Sequence, residues 1–199
     1  MFAALLLGLA VWPAAAQVPP GVRQSLRAAS VQLEPVGCSG VVAESRQLVL
    51  TARHCVDDGV TSVRVRLSTG ELRTGWVVGT DAAADQAVLF LEEPVELEPL
   101  SLARRRQIDG TVLYFEGNPK EPRFQAARLD RIGQCPSLPK LPNALFTSID
   151  GRPGDSGAPV VDGLGRVVGL VHGGPRCQIA TPADTLGRLV DRVLQRQPA

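Results

Sequence analysis

The stretch "GRPGDSGAPV", Gly151 to Val160, sets one hydroxyl, Ser156, among three glycines, two prolines and an acid. Turn chemistry accounts for the glycines, because Gly tolerates positive φ and Asp and Ser favour turns. A turn that also presents a nucleophile needs a base, since a serine hydroxyl is too weakly acidic to attack an acyl group at neutral pH. The chain has two histidines: His54 in "LVLTARHC", just after a strand-like run, and His172 in "GLVHGG", after the serine. An acid that fixes the imidazole tautomer and stabilises its cation completes such a set. "TDAAADQAVLFL" offers Asp85 immediately before an apolar strand, where its carboxylate would be half-buried. The competitor, Asp81, precedes a run of alanines and reads as an exposed turn.

Around these residues the chain has the texture of short strands. "VQLEPVGCSGVV", "RQLVLTA", "TSVRVRLS", "ELRTGWVVG" and "QAVLFLEE" follow one another with turn residues between them. In "VRVRL", Val63, Val65 and Leu67 face one way and Arg64 and Arg66 the other, the period of a half-buried strand. "SLARRRQIDG" then interrupts, and Arg104, Arg105 and Arg106 read as a solvated boundary rather than a docking patch. A second strand set follows in "TVLYFEG", "FQAARLDRI", "NALFTSI", "APVVDG" and "RVVGLVHGG", without visible sequence repetition of the first. Many short strands at this spacing argue for barrels or a sandwich. The chain ends in a helix. Thr181 is its expected cap, Pro182 its first position and Asp184 an acid in its first turn. Leu186, Leu189, Val190, Val193 and Leu194 form its apolar stripe.

The 199 residues allow one compact domain or two small lobes sharing a cleft, and a formal net charge of +1 gives no electrostatic footprint for nucleic acid. "MFAALLLGLAVWPAAAQ" reads as a secretory leader, residues 1–16, cut after Ala16, although no Lys or Arg precedes its apolar core. Residues 17–30 read as a polar tail or short pro-segment. Export makes Cys38, Cys55, Cys135 and Cys177 candidates for pairing, with three connectivities open; none forms a C-x-x-C, so zinc is not expected.

These residues carry a resemblance. "TARHC" resembles the histidine motif of the trypsin-like serine peptidases, "DQAVLFL" their aspartate strand and "GRPGDSGAPV" their serine motif, in His, Asp, Ser order. The short His54 to Asp85 spacing is similar to that of the compact bacterial branch, near HtrA-type enzymes and glutamyl endopeptidases. The resemblance implies an all-β fold of two perpendicular Greek-key β-barrels with the site in the cleft between them, plus the C-terminal α-helix. The barrels would span 31–100 and 110–180, with a linker at 101–109 and the helix at 181–199.

It further implies a serine endopeptidase with His54, Asp85 and Ser156 catalytic, the N–H groups of Gly154 and Ser156 as the oxyanion hole, and no metal or organic cofactor. Expected partners are protein or peptide substrates, with no nucleic acid and no stable membrane insertion, and the protein would be a secreted or periplasmic monomer.

Other roles follow from the same likeness. No Ile-Val-Gly-Gly start is present, so Asp155, whose counterpart pairs with a freshly cut amino terminus in zymogen-activated relatives, is expected to find an arginine or backbone donors; tail removal after Arg23 or Arg27 stays open. Cys38–Cys55 matches a common bridge of the family. Cys177 resembles the cysteine closing one wall of the specificity pocket, with Cys135 as its implied partner. The substrate pocket would involve Asp150, Val171 and Gly174, and Asp150 raises cleavage after Arg or Lys as one option. His172 resembles the serine that commonly supports the catalytic aspartate, which implies contact with Asp85; a plain strand-end histidine is the alternative. An α/β-hydrolase is disfavoured because Ala158 breaks G-x-S-x-G and the residue order is wrong. A non-catalytic binding or regulatory protein on the same barrels remains the second reading.

Overall fold

Among the residues described by the computed structural model, 18–56, 58–117, 121–174 and 177–196, twelve antiparallel strands close into two barrels. The expected leader lies outside these residues. The first barrel comprises β1 (Ser30–Glu34), β2 (Ser39–Val42), β3 (Leu48–Ala52), β4 (Ser62–Arg66), β5 (Leu72–Asp81) and β6 (Gln86–Leu91), in the order β1-β2-β3-β6-β5-β4. The second comprises β7 (Val112–Gly117), β8 (Arg123–Gly133), β9 (Ala144–Thr147), β10 (Pro159–Val161), β11 (Val167–Gly174) and β12 (Cys177–Pro182), in the order β7-β8-β9-β12-β11-β10. The two halves therefore share one strand order without sharing a sequence pattern. Closure pairs every strand on both sides and leaves no long backbone edge.

Most buried strand side chains divide between three cores, and a smaller fourth cluster joins Ala144 of β9 and Ile179 of β12 to Cys135 and Leu141. All five residues of β3 are buried, which its "LVLTA" run reflects. Val49 and Ala52 enter the core of the first barrel, with Val31, Leu33, Val65 and Leu89, whereas Leu48 and Leu50 face a layer between the barrels. β4 alternates as its pattern requires, Val65 inward and Arg64 and Arg66 outward against Glu34. Leu113, Phe115, Leu129 and Val160 fill the second barrel.

The middle layer also receives both helices. Residues 17–30 are not wholly a tail, because Val22–Ala29 form α1, which buries Val22, Leu26 and Ala29 beside β7 of the second barrel. Its Arg27 pairs at 2.6 Å with Glu116, whose side chain is 3% exposed. At the other terminus, the expected cap is corrected. Thr181 belongs to β12, and its hydroxyl accepts from Gln86 Nε2 at 3.1 Å, so it is not free to cap. Helix α2 runs Ala183–Leu194, with Pro182 one position before its start. Leu186, Leu189, Val190 and Val193 are buried, each contributing about 1.5–3 kcal/mol, while Leu194 ends the stripe in solvent. The expected linker, 101–109, is strapped down near its start: Leu102 bridges to Val167 and is buried with Ala103, just after Leu100 bridges to Ala43, and Arg104, Arg105 and Arg106 are exposed.

Candidate active site

The chain leaves β3 through a single 3-10 turn, Arg53–Cys55, that carries His54. Asp85 meets this turn from the start of β6. Its carbonyl accepts from Arg53 N–H at 3.0 Å, its Oδ1 from His54 N–H at 2.9 Å, and its Oδ2 lies 2.7 Å from His54 Nδ1. Asp85 has φ +53°, a left-handed conformation uncommon outside glycine, which turns a buried carboxylate back onto the histidine. Asp81 behaves differently. Its Oδ1 accepts from Ala83 and Ala84 N–H at 2.9 and 3.1 Å, which makes it the residue that closes the turn.

The electrostatics follow from this geometry. Burial pushes the Asp85 carboxyl up, but the imidazole donors of His172 and His54 outweigh it and hold the group well below the usual carboxylate range. The hydrogen bond to Asp85 raises the His54 pKa above 6.5, against the opposing effect of burial. The second imidazole, His172 on β11, sets its Nδ1 2.6 Å from Asp85 Oδ2.

Ser156 faces these groups from the second barrel. Its turn is pinned to β2, because Ser39 N–H donates to Ser156 O at 2.8 Å and Ser39 Oγ to Gly154 O at 2.6 Å. Asp155 N–H donates to Arg152 O at 3.0 Å across a turn whose third residue, Gly154, has φ +96°, a value glycine adopts without strain. Among the described residues, the N–H groups of Gly154 and Ser156 have no acceptor, and Ser156 Oγ makes no hydrogen bond to His54. Catalytic hydrogen bonds are commonly long before substrate binds. A Cβ at Gly173 would stand 3.2 Å from Ser156 Oγ, so the bare backbone keeps the hydroxyl clear.

Asp155 is 1% exposed, and its Oδ2 accepts from Arg123 Nη2 at 2.5 Å and from Arg152 N–H at 2.7 Å. Burial pushes its carboxyl up, and those two donors oppose the shift. Nothing in "RFQAARL" marked Arg123 as this partner; the contact arises because the β7–β8 hairpin brings it under the serine turn. Arg123→Ala would strand a buried carboxylate, and the expected loss is about 3 kcal/mol in urea unfolding. A loss below about 0.5 kcal/mol would show that the pair does not brace the turn.

Both disulfides, Cys38–Cys55 and Cys135–Cys177, are present. The first ties β2 to the turn carrying His54. The second fixes the 135–141 loop to the start of β12. Among the described residues two groups of potential metal donors occur, Cys38 with His54 and Cys55, and His54 with Asp85 and His172. Neither offers a free set, since the sulfurs are bonded to each other and the Nδ1 atoms already bond Asp85.

Beside Ser156 opens a cavity of about 280 Å³, lined by Thr147, Ile149, Val171 and Ile179 and also by Arg152 and His172. Val171 is among the residues lining it, and Asp150 is not. The Asp150 carbonyl receives Gln125 Nε2 at 3.2 Å, and its exposed carboxylate lies 3.7 Å from Arg152, which holds the residue to the outer surface. Gly174 pairs with Cys177 where β11 meets β12. A larger hollow of about 400 Å³ lies between Arg104–Arg106 and α2, but its lining contains no serine, cysteine or histidine.

Comparison with known proteins agrees with this arrangement. A family model described as a trypsin-like peptidase domain matches residues 38–170. HhoA of Synechocystis sp. is 28% identical over 141 residues, covering 66% of this chain and 35% of that protein. HhoB of the same organism is 30% identical over 142 residues, covering 66% and 33%. The serine protease Do-like HtrB of Bacillus subtilis is 25% identical over 177 residues, covering 79% and 38%. The chain thus spans little more than a third of the length of these curated relatives. Among crystal structures, Deg5 superposes with TM-score 0.74 at 24% identity, covering 87% of this chain and 92% of that one. The inactive form of Rv3671c protease gives 0.71 at 21%, covering 89% and 98%. At these identities the two structures speak for the fold.

Proposed function

The chain belongs to the trypsin-like peptidase family and is related to bacterial Deg/HtrA-type proteases; from that premise we propose that it hydrolyses peptide bonds with Ser156 as nucleophile, His54 as base and Asp85 as the orienting acid. The observation that carries the reading is the double anchorage of Asp85, Oδ1 on the His54 N–H and Oδ2 on the ring, which leaves Nε2 as the proton acceptor.

In this mechanism Ser156 Oγ attacks the peptide carbonyl as His54 Nε2 takes its proton. The developing oxyanion accepts from the Gly154 and Ser156 N–H groups, and loss of one such donor typically costs about 3–4 kcal/mol of transition-state stabilisation. Collapse breaks the C–N bond, and His54 returns the proton to the leaving amine. Water then repeats the sequence on the acyl-enzyme. These roles use no metal or organic cofactor.

The substrates are proteins or peptides, and the pocket supports an apolar residue before the scissile bond. No carboxylate lines it among the described residues, while Arg152 is one of the residues that line it. A buried Arg or Lys would lack a partner charge and lose several kcal/mol. A proteomic cleavage profile is therefore expected to show small or medium aliphatic residues at that position, about 10-fold or more above Arg and Lys. Enrichment of Arg or Lys would return Asp150 to the pocket and sink this specificity. Two disulfides support export to an oxidising compartment. No helix of the described residues is long and apolar enough to cross a membrane.

The second reading, a non-catalytic binding protein, draws support from the missing Ser156–His54 hydrogen bond. Fluorophosphonate labelling separates the two. Labelling lost in Ser156→Ala supports the peptidase, and folded protein that never labels supports the binding protein.

A further inference from the structure

Resting on the catalytic reading of Ser156, His54 and Asp85, we propose that His172 is a positioning residue that shares the Asp85 carboxylate with His54, restrains the basicity of His54 and so sets the acid edge of activity. Both imidazoles reach the same oxygen: His54 Nδ1 lies 2.7 Å and His172 Nδ1 2.6 Å from Asp85 Oδ2. An ionised carboxylate only accepts, so each neutral ring must carry its proton on Nδ1. The charge that would otherwise act on His54 alone is divided between two donors.

The opposite side of His172 is also fixed. Ser137 Oγ lies 3.4 Å from His172 Nε2, where a hydroxyl donor favours the Nδ1–H tautomer. Ser137 belongs to a turn closed by Leu138 N–H on Cys135 O at 2.9 Å, and the Cys135–Cys177 disulfide ties that turn to β12. The ring, with 12% of its side chain exposed, has little room to rotate. Ile179 stands opposite it in register on β12, the loop presents Ser137 and the disulfide, Asp85 and His54 are the titratable groups in contact with it, and Arg152 lines the same cavity from the serine turn. The two rings meet edge to face with centroids 5.6 Å apart.

Loss of the His172 donor would not release Asp85, because the His54 N–H still holds Oδ1 at 2.9 Å. The carboxylate would bear more fully on His54 and make it harder to deprotonate. His172→Phe is thus expected to raise the midpoint of His54 titration by about 0.5 pH unit or more, moving the acid limb of activity upward with it. His172→Asn, whose side-chain N–H₂ occupies much the same place as Nδ1–H, should restore the original midpoint.

The chain contains two histidines, so imidazole ¹⁵N spectra of the whole protein resolve each ring without ambiguity. In the unaltered protein, neutral His172 should have a protonated Nδ1 and a bare Nε2; the opposite tautomer overturns the proposal without requiring any variant to fold. An unshifted or lowered His54 midpoint in folded His172→Phe also overturns it, as does failure of His172→Asn to restore the midpoint. Fluorophosphonate labelling against pH, run in parallel, keeps the two readings apart. Normal labelling without a midpoint shift removes the role of His172 alone, whereas absent labelling of folded unaltered protein removes the catalytic reading and this role with it.

Discussion

Ser156→Ala is expected to lower kcat/KM for an unfolded protein substrate by on the order of 10⁵-fold or more, with little change in KM or stability. The rate loss follows from removing the atom that forms the acyl bond; what remains is the contribution of substrate binding and the N–H groups of Gly154 and residue 156 to attack by water. Stability should hold because Ser156 Oγ has no hydrogen bond among the described residues, and the pins to β2 use the Ser156 and Gly154 carbonyls, which the substitution keeps. His54→Ala should lose nearly as much, and the double variant scarcely more, because the two groups act in one proton transfer. Steady-state kinetics with a thermal melt checks both halves. A folded Ser156→Ala protein that keeps more than about a hundredth of the rate would remove the serine from the mechanism.

The next residue carries the largest expected effect on stability. Gly157→Ala should lower unfolding free energy by about 3–5 kcal/mol. Gly157 has φ +82°, which L side chains rarely adopt, and a Cβ there would collide with Ser39 O and Thr51 Oγ1 and lie 2.9 Å from Ala52 N. Two of these three atoms belong to the backbone of the first barrel, so relief requires moving the second barrel away. The same shift would strain the Gly157 N–H bond to Val171 O, now 2.8 Å, and draw Ser156 from His54. Urea unfolding should show a lower midpoint at unchanged slope, together with reduced turnover. An unaltered midpoint would mean that the serine turn is not wedged against the first barrel as described.

The two-barrel fold with its terminal helix was legible because most strands carry local marks, such as the alternation of Val63, Arg64, Val65 and Arg66 and the turn residues between runs. The family was legible because acyl transfer demands particular residue types in recognisable turns, as at His54, Asp85 and Ser156. What escaped was decided by distant partners. Thr181 looks like a cap until Gln86, from the other barrel, claims its hydroxyl. The polar surface of α1 hides the three residues it buries, and its Arg27 takes its meaning from Glu116, far along the chain. Arg123 and Asp155 are similarly remote in sequence, and Asp150 was drawn out of the pocket by Gln125 on a neighbouring strand. Local periodicity carries no trace of such pairings.

The helices bridge the barrels: α1, which precedes the first barrel, lies beside β7 of the second, and α2, which follows the second, lies across both, against β5 and β6 of the first and β11 and β12 of its own. During synthesis the first lobe therefore emerges well before α2, the helix that packs across it. The first lobe cannot reach its finished form from its own contiguous stretch, so maturation of the surroundings of His54 waits on residues more than a hundred positions further along the chain.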